Sequence, residues 1–326
     1  MSRSDSIGDS IADAIGQTPM VRLTRVYPGL RHNLLGKCEY LNPGGSVKDR
    51  IAAYMIAAAE KDGRLKPGGT LVEATAGNTG IGLAMMSALK GYKLVTVMSS
   101  KVSSDKVKLL QALGAEVVIT PAGKPLDDPE HTLNKARAIA EARDGWMVNQ
   151  FYNDDNVRAH YETTGPEIWS QTGGTVDVLV AGVGTGGTLT GAGRYLKEKK
   201  PSVQLILADP IGSKLAGVIQ NREVENTPYI VEGIGMDFVP GTFDTKQVDA
   251  AIQISDVESV GTAHALMSKE GIFVGSSAGC NTAAAISFAK NLEGEGKNIV
   301  IILPDGGRGY LSTIYDDAWL QTKLTT

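Results

Sequence analysis

Hydrophobic residues recur along this chain at two alternating spacings, one typical of helices and the other of buried strands. Residues 49–62 predict a helix because their apolar side chains fall on one stripe, and Gly63 follows where a helix C-cap belongs. Strands that alternate with such helices predict parallel α/β sheets with helices on both faces. The predicted helices cover 49–62, 79–90, 104–113, 187–199, 259–270 and 278–292, and the predicted strands cover 70–74, 93–98, 116–120, 176–181, 203–208, 272–274 and 298–303.

The length of 326 residues makes two domains the default, since domains commonly hold about 100–200 residues. The predicted boundaries are the Pro- and Gly-rich residues 40–46 and the polar residues 149–156. Glycine contributes 39 residues, about 12% of the chain where about 7% is usual. This excess indicates many tight turns or close backbone approaches to a ligand.

Composition argues against several classes of protein. Two cysteines, Cys38 and Cys280, allow at most one disulfide and no thiolate metal cage, which is typical of a reducing compartment. The first six residues lack the apolar segment of a secretory signal, and the longest uncharged run, 271–289, is too polar to span a membrane. A net charge of −4 without a basic cluster argues against nucleic acid. We expect a cytoplasmic protein that acts on small molecules.

Four polar or glycine-rich segments lie where a strand is followed by a helix, the position at which open α/β sheets bind ligands. In the first, residues 42–50, Lys48 lies at a helix start, where the helix dipole disfavours an ammonium ion. One hypothesis is an amine of depressed pKa that is free to form a Schiff base. The alternative is a solvated surface lysine beside Asp49 and Arg50.

The second and third segments are candidate anion sites. Residues 73–80 present backbone N–H groups and a helix start that suit a carboxylate, although the same residues also occur in ordinary turns. Residues 182–188 form a glycine-rich loop with the hydroxyls of Thr185 and Thr188, which predicts a phosphate cup. A dinucleotide loop is the rival interpretation, because Gly182, Gly184 and Gly187 have the required spacing and Asp209 follows 22 residues later.

The fourth segment covers residues 274–281 and is followed by residues 303–310. Ser277, at a predicted helix start, can hydrogen-bond a heteroaromatic nitrogen without protonating it, whereas a simple N-cap is the alternative. No metal site is expected, because the four histidines share no ligand spacing with each other or with acidic residues. These histidines are His32, His131, His160 and His264.

The four segments together resemble the pyridoxal-phosphate-dependent β-replacement enzymes, the cysteine synthase and cystathionine β-synthase family. The resemblance rests on the order of Lys48 and three motifs along the chain: Thr-x-Gly-Asn-Thr-Gly, Gly-Thr-Gly-Gly-Thr and Gly-Ser-x-x-Gly. The resemblance runs from Gly16 to about Trp319. It implies an α/β fold of type II, similar to the β subunit of tryptophan synthase, and usually a homodimer. It also implies a smaller mobile domain of residues 43–150, a larger domain of 1–42 plus 151–326, and pyridoxal 5'-phosphate in the cleft between them.

The resemblance assigns roles to residues of this sequence. Lys48 would hold the cofactor as a Schiff base and later move the α-proton. Asn78 would hydrogen-bond the 3′-oxygen of the cofactor, and Ser277 would face its pyridine nitrogen, which suits chemistry through an aminoacrylate. The residues expected to cup the phosphate are Gly184, Thr185, Gly186, Gly187 and Thr188, with Pro304 and Asp305 as further cofactor contacts. Those expected at the substrate are Thr75, Ala76, Gly77, Thr79, Gln150, Glu232 and Gly233.

Smaller segments bear on the substrates. Residues 209–213, 231–240 and 304–313 are similar to cystathionine β-synthase and its bacterial relatives, whereas residues 163–169 and the phosphate loop are similar to cysteine synthase. Ala76 stands where many members have serine, and Met236 stands where animal cystathionine synthases have tyrosine. We expect serine or O-acetylserine as donor and homocysteine or sulfide as acceptor, with Glu232 contacting the amino group of one of them.

Alternatives remain open at this point. β-Elimination on serine or cysteine is the rival reaction, and a binding or regulatory protein without turnover is the rival of another class. The chain ends soon after Trp319 and begins close to Gly16, so we expect neither the regulatory nucleotide-sensing modules nor the haem-binding arm of animal cystathionine synthases. Cys38 is expected in the core, and Cys280 is expected to pack near the cofactor.

Overall fold

The computed structural model describes residues 7–125 and 127–324, so the prediction about the first six residues lies outside the described part. Ten strands are described: β1 Met20–Leu23, β2 Asn33–Cys38, β3 Thr70–Ala74, β4 Lys93–Ser99, β5 Glu116–Thr120, β6 Trp146–Met147, β7 Val176–Gly182, β8 Gln204–Pro210, β9 Ala250–Ile254 and β10 Asn298–Leu303.

The described α-helices are α1 Lys48–Lys61, α2 Asn78–Lys90, α3 Ser104–Ala112, α4 Thr132–Ala142, α5 Asp154–Ala159, α6 Gly165–Gln171, α7 Gly187–Lys199, α8 Leu215–Gln220, α9 Asp256–Ala265, α10 Ser276–Asn291 and α11 Asp317–Leu324. Two π-helical turns, His160–Thr164 and Leu266–Glu270, continue α5 and α9. Short 3₁₀ turns cover Ile11–Ala14, Glu39–Leu41, Thr245–Gln247 and Gly307–Tyr310.

The strands form two sheets. A four-stranded sheet has the order β5-β4-β3-β6 and is parallel throughout. A six-stranded sheet has the order β1-β2-β10-β7-β8-β9, in which β1 and β2 are antiparallel and all other neighbours are parallel. The six-stranded sheet therefore takes strands from both ends of the chain, and the four-stranded sheet takes its strands from the segment between them.

Alternation along the central strands packs helices on both faces of the six-stranded sheet. In β7, Val178 and Val180 join the core formed with α9 and α10, whereas Leu179 and Ala181 join the core formed with α6, α7 and α8. Successive strand residues point to opposite faces, so a nearly continuous apolar run is what a strand covered on both sides requires. The four-stranded sheet is covered in the same way, by α1 and α2 on one face and α4 on the other.

The structure departs from the sequence prediction in several elements. The sheet is not purely parallel, because the unpredicted β1 pairs antiparallel with β2. The strand predicted over 272–274 is wrong: Val274 makes only an isolated bridge to Gly306. The helix predicted over 259–270 begins at Asp256, after the capping box of Ser255 and Glu258, and its last five residues form a π-helical turn. Also unpredicted are α4, α5, α6, α8, α11, β2, β6 and β9.

Both cysteines are free and buried, and their burial raises the pKa of the Cys38 thiol to about 11 and that of Cys280 to about 12. Among the described residues, no three His, Cys, Asp or Glu side chains are placed to hold a metal ion. No helix in this part of the chain is long and apolar enough to cross a membrane.

Candidate functional site

A cleft lies at the carboxyl ends of β7 and β10, beside the first residues of α1 and α2. Most of the residues predicted to hold the cofactor meet there. The lining includes Lys48, Asn78, Gly184, Thr185, Gly186, Thr188, Gly233, Ser277, Pro304 and Asp305. Gly187 lies beside this lining, as the first residue of α7.

Lys48 begins α1, and the preceding residues are tied to the end of β10. The Val47 N–H donates to Pro304 O at 2.8 Å, Ser46 bridges to Asp305, and the Ser46 hydroxyl accepts from the Lys48 N–H at 3.1 Å. Burial lowers the pKa of Lys48, and the Asp305 carboxylate opposes this effect only in part. The lysine therefore lines the cleft with an amine that loses its proton more readily than a solvated one.

The glycine-rich loop after β7 is closed so tightly that side chains are excluded. A Cβ at Gly184 would lie 2.3 Å from Gly233 O, and one at Gly187 would lie 2.0 Å from Asn156 Oδ1. Gly186 has a φ of +95°, in the left-handed region that favours glycine. The backbone N–H groups that follow begin the thirteen-residue helix α7, whose dipole favours an anion at this end.

Asn78 and Asp305 join the ends of the two sheets. Asn78 Nδ2 donates to Asp305 Oδ2 at 2.7 Å, and the Tyr310 hydroxyl donates to the same oxygen at 2.6 Å. Burial raises the pKa of Asp305, while these two hydrogen bonds oppose the shift. Because one Nδ2 hydrogen is held by Asp305, the other is left for an acceptor in the cleft.

Ser277 lies in the first turn of α10 and lines the cleft. It is not the N-cap, as the alternative interpretation held, because α10 begins at Ser276 and Gly275 occupies the cap position. Ser276 instead points toward another predicted residue, since its hydroxyl accepts from the Glu232 N–H at 3.0 Å.

The residues predicted to bind a carboxylate lie at the start of α2, outside the lining of the cleft. The buried Thr79 hydroxyl donates to Gln150 Oε1 at 2.6 Å, and the Thr75 hydroxyl accepts from the Gly77 N–H at 3.3 Å. Gln150 follows Asn149, a residue with a φ of +55°, whose N–H donates to the buried Glu73 carboxylate at 2.7 Å. Burial raises the pKa of Glu73 to about 7, against that hydrogen bond.

Glu232 and Ala76 also lie outside the lining. The Glu232 carboxylate forms an ion pair with Lys106 of α3, and both side chains are more than one-third exposed. This pair connects the loop after α8 to the half of the molecule that holds the four-stranded sheet. Ala76 packs against the core around α1 and α2.

Three other residues discussed from the sequence lie away from the cleft. Met236 packs against the core of α6, α7 and α8 and lines a separate open groove with residues 226–229. Cys280 is in the core of α9 and α10 and does not line the cleft, contrary to expectation. Asp209 is fully buried near the end of β8, and its Oδ2 accepts the Ala216 N–H of α8 at 2.8 Å, so this oxygen is bound to the protein backbone.

Four residues that the sequence did not predict reach the cleft or contact its lining. Asn281 lines the cleft one helical turn after Ser277, and its Nδ2 donates to Ile302 O at 2.8 Å. The spacing of four residues within a predicted helix was the available signal. Asn156, His160 and Thr242 contact the phosphate cup, and nothing local in their sequence indicates this.

These residues fit pyridoxal phosphate. A phosphate suits the glycine cup, because side chains are excluded there and donors from the backbone and two hydroxyls converge. The Lys48 amine suits the aldehyde, and Asn78 has a hydrogen left for a ring oxygen.

Comparison with known proteins shows which enzymes the chain is similar to. The chain is 45% identical over 326 residues to cystathionine β-synthase of Oryctolagus cuniculus, which covers 99% of the chain and 59% of that protein. It is 44% identical over 330 residues to cysteine synthase 1 of Emericella nidulans, which covers 99% of the chain and 89% of that protein. The chain thus spans about three-fifths of the length of the mammalian relatives.

Solved structures of two enzymes superpose on this chain. O-ureido-L-serine synthase superposes with a TM-score of 0.88 at 38% identity, over 97% of this chain and 100% of that one. A hydrogen sulfide-producing enzyme from Fusobacterium nucleatum superposes with a TM-score of 0.86 at 35% identity, over 93% and 98%. The predicted family and fold class are confirmed. Since the family model for pyridoxal-phosphate-dependent enzymes matches residues 11–305, the chain belongs to that family.

Proposed function

We propose that this chain replaces the β-substituent of serine or of an O-activated serine, such as O-acetylserine, by a thiol. Homocysteine as acceptor gives cystathionine, and sulfide gives cysteine. The observation that carries the proposal is the Lys48 amine in one cleft with the glycine cup, Asn78 and Ser277. Relatives named for each of the two products, cystathionine β-synthase and cysteine synthase, support it equally.

The residues that line the cleft hold the cofactor, and residues outside that lining, at the start of α2, at Gln150 and at Glu232, hold the substrate together with Gly233. Lys48 binds the cofactor aldehyde, residues 184–188 cup its phosphate, and Asn78 donates to its ring oxygen. Ser277 faces the ring nitrogen as a neutral hydroxyl, which leaves that nitrogen unprotonated, and Pro304 and Asp305 complete the contacts. The substrate carboxylate is held by Thr75, Gly77, Thr79 and Gln150, beside Ala76 and Gly233, while Glu232 contacts an amino group.

Bound pyridoxal phosphate supplies an electron sink for the electrons of the substrate Cα–H bond. Lys48 Nζ takes the proton from Cα, and the substituent leaves Cβ with its bonding electrons. The thiol sulfur would then bond to Cβ while its proton passes to the departed hydroxide or carboxylate, and Lys48 would return its own proton to Cα. The lowered pKa of Lys48 favours this role, because only the neutral amine accepts a proton.

Substrate binding would rearrange the start of α2. The Thr79 hydroxyl now donates to Gln150, so it must turn away from Oε1 to donate to a carboxylate. We propose that residues 43–150 move as a unit in this step, relative to residues 1–42 and 151–326. The half-exposed pair of Lys106 and Glu232 crosses between these two parts and would adjust with them.

Visible absorbance of the purified chain tests the cofactor assignment. We expect a band that Lys48→Ala abolishes and that Lys66→Ala, a change at an exposed lysine, leaves intact. Steady-state assays with the four pairs of serine or O-acetylserine and homocysteine or sulfide then test the reaction. Pyruvate formed at the same rate with and without a thiol would assign β-elimination instead, and absence of the band would refute the proposal.

We further propose that the chain works in the cytoplasm as a homodimer on small-molecule substrates. The resemblance to dimeric relatives and the two free buried cysteines support this proposal. Sedimentation equilibrium of the purified chain is expected to give twice its 34.3 kDa mass, and a monomer at all concentrations would contradict it.

A further inference from the structure

Each threonine of the phosphate cup lies against a buried polar side chain from the segment that follows Gln150. Asn156 Nδ2 is 2.9 Å from Thr185 Oγ1, and His160 Nε2 is 3.1 Å from Thr188 Oγ1. Asn156 and His160 are almost completely buried. Asn156 belongs to α5, and His160 begins the π-helical turn that continues it, a rare geometry that is frequent at functional sites.

The hydrogen-bond direction at Thr185 follows from a third group. Asn156 Nδ2 also donates to Gln150 O at 2.8 Å, and a backbone carbonyl only accepts. That atom is therefore the amide nitrogen, and its second hydrogen goes to Thr185 Oγ1. Since Thr185 Oγ1 accepts, the single hydrogen of its own hydroxyl is left for an acceptor in the cleft.

The direction of the hydrogen bond between His160 and Thr188 depends on a further residue, Thr164. Its Nδ1 lies 2.8 Å from Thr164 Oγ1, and Thr164 is fully buried. Burial, aided by Arg50, lowers the pKa of His160 to about 3, so the ring is neutral and carries one hydrogen. If Thr164 donates to Nδ1, that hydrogen is on Nε2 and goes to Thr188 Oγ1.

The direction of these hydrogen bonds affects phosphate binding because the cup has few positive charges. Of the described residues that line the cleft, Lys48 is the one with a cationic side chain, and it is proposed to hold the aldehyde. A phosphate in the cup therefore depends on backbone N–H groups, the dipole of α7 and the two hydroxyls. If the Thr188 hydroxyl donated its hydrogen to His160, its oxygen would present a lone pair to the phosphate and repel it.

We propose that Asn156 and His160 are positioning residues that hold the hydroxyl hydrogens of Thr185 and Thr188 toward the cleft, so that the cup meets a phosphate dianion with donors only. This inference rests on the proposed assignment of the cup to the cofactor phosphate. The chain of donors runs from Thr164 to His160, from His160 to Thr188, and from Thr188 into the cleft.

Two variants of His160 separate donation from packing. Glutamine can place an amide N–H where Nε2 lies, whereas asparagine reaches only as far as Nδ1. The quantity to measure is the phosphate ratio, defined as the Kd of the full-length apoprotein for pyridoxal divided by its Kd for pyridoxal phosphate. We expect a phosphate ratio of at least about 100 for the wild type, a fall of about 10-fold to 100-fold in His160→Asn, and near-retention in His160→Gln.

Thr188→Ala gives the matched background. There His160→Asn should lower the phosphate ratio no further, because the hydroxyl that it orients is absent. An unchanged ratio in His160→Asn, or an equal fall in the Thr188→Ala background, would overturn the inference. Should His160→Asn fail to fold in a thermal melt, Thr164→Val removes the donor to Nδ1 and must lower the ratio as well.

Phosphorus NMR of the bound cofactor gives a second reading that does not involve turnover. The phosphate resonance should shift in His160→Asn and stay near the wild-type position in His160→Gln. Failure of the proposed cup assignment gives a different result, because the wild type itself would then bind pyridoxal and pyridoxal phosphate equally, or neither; failure of the proposed β-replacement alone appears in the product assays and leaves the phosphate ratio unchanged.

Discussion

Arg50, two residues after Lys48 in α1, is the centre of a buried ionic cluster, and its loss gives the sharpest test of what holds α1 in place. Its guanidinium donates to both Glu39 oxygens at 2.6 and 2.8 Å and to both Glu167 oxygens at 2.7 Å. Lys37 donates to Glu167 at 2.6 Å. The cluster joins β2, α1 and α6, and its two cations balance its two anions.

Arg50→Met removes one cation and leaves a net negative charge in the interior. Arg50 and Glu39 are at most 1% exposed at their side chains, so water cannot replace the lost hydrogen bonds. Breaking a buried pair in this way costs about 3–5 kcal/mol. Lys66→Met is the control, because Lys66 and Asp144 are 69% and 87% exposed and such pairs contribute about 0–1 kcal/mol.

Urea unfolding followed by tryptophan fluorescence measures both variants. Burial opposes ionisation of Glu39, but Arg50 outweighs it and lowers the pKa of Glu39 from 4.5 to about 2. A depressed folded pKa adds stability above pH 4.5 that is lost as the pH falls toward 2, about 3 kcal/mol for Glu39. The deficit of Arg50→Met should therefore shrink between pH 6 and 3. A deficit no larger than that of Lys66→Met would refute this reasoning.

Three further predictions follow from burial and close contact. Gly184→Ala should abolish cofactor binding, because its Cβ would lie 2.3 Å from a carbonyl oxygen, whereas Gly261→Ala in α9 meets open space and should stabilise by up to about 1 kcal/mol. Equal cofactor loss in both, by visible absorbance, would contradict this. Burial raises the pKa of Asp49 from 3.8 to about 7, so the wild type loses stability as the pH rises through this range. The stability of Asp49→Asn relative to the wild type should thus increase by about 1–3 kcal/mol from pH 5 to 8 in urea unfolding, and a constant difference would be evidence against it. Because burial raises the pKa of both thiols, a disulfide reagent at pH 8 should label Cys38 and Cys280 only in urea, and rapid labelling of the native chain would count against their burial.

The fold was predictable where one strand or helix shows its own pattern. The strand β7 is packed on both faces and shows a continuous apolar run in the sequence. The helix α1 is packed along one face and shows an apolar stripe with the helical period. β2 escaped prediction because it carries Lys37, which is fully buried. Its partner Glu167 lies 130 residues away, and no local pattern indicates that a lysine in a strand has such a partner.

Contacts with distant residues also decide the role of the polar residues 149–156, which the sequence suggested as a domain boundary. Gln150 and Asn156 of this stretch are buried. Asn156 links Gln150 to Thr185 of the cup, and Gln150 accepts from Thr79 of α2. From the sequence alone, a stretch of Asn, Asp and Gln indicates a solvated loop. Its burial becomes evident only when the fold supplies hydrogen-bond partners from distant segments.

Motifs thus find the groups that touch a ligand, and the fold decides how those groups are oriented. Asn78 and Asp305 are 227 residues apart, and Thr188 and His160 are 28 apart, yet each pair shares a hydrogen bond at the site. A change at His160 leaves every glycine and threonine of the cup in place. If hydroxyl direction governs the cup, two chains with identical motifs can differ in their affinity for the phosphate, and the cause lies in a helix that never meets the ligand.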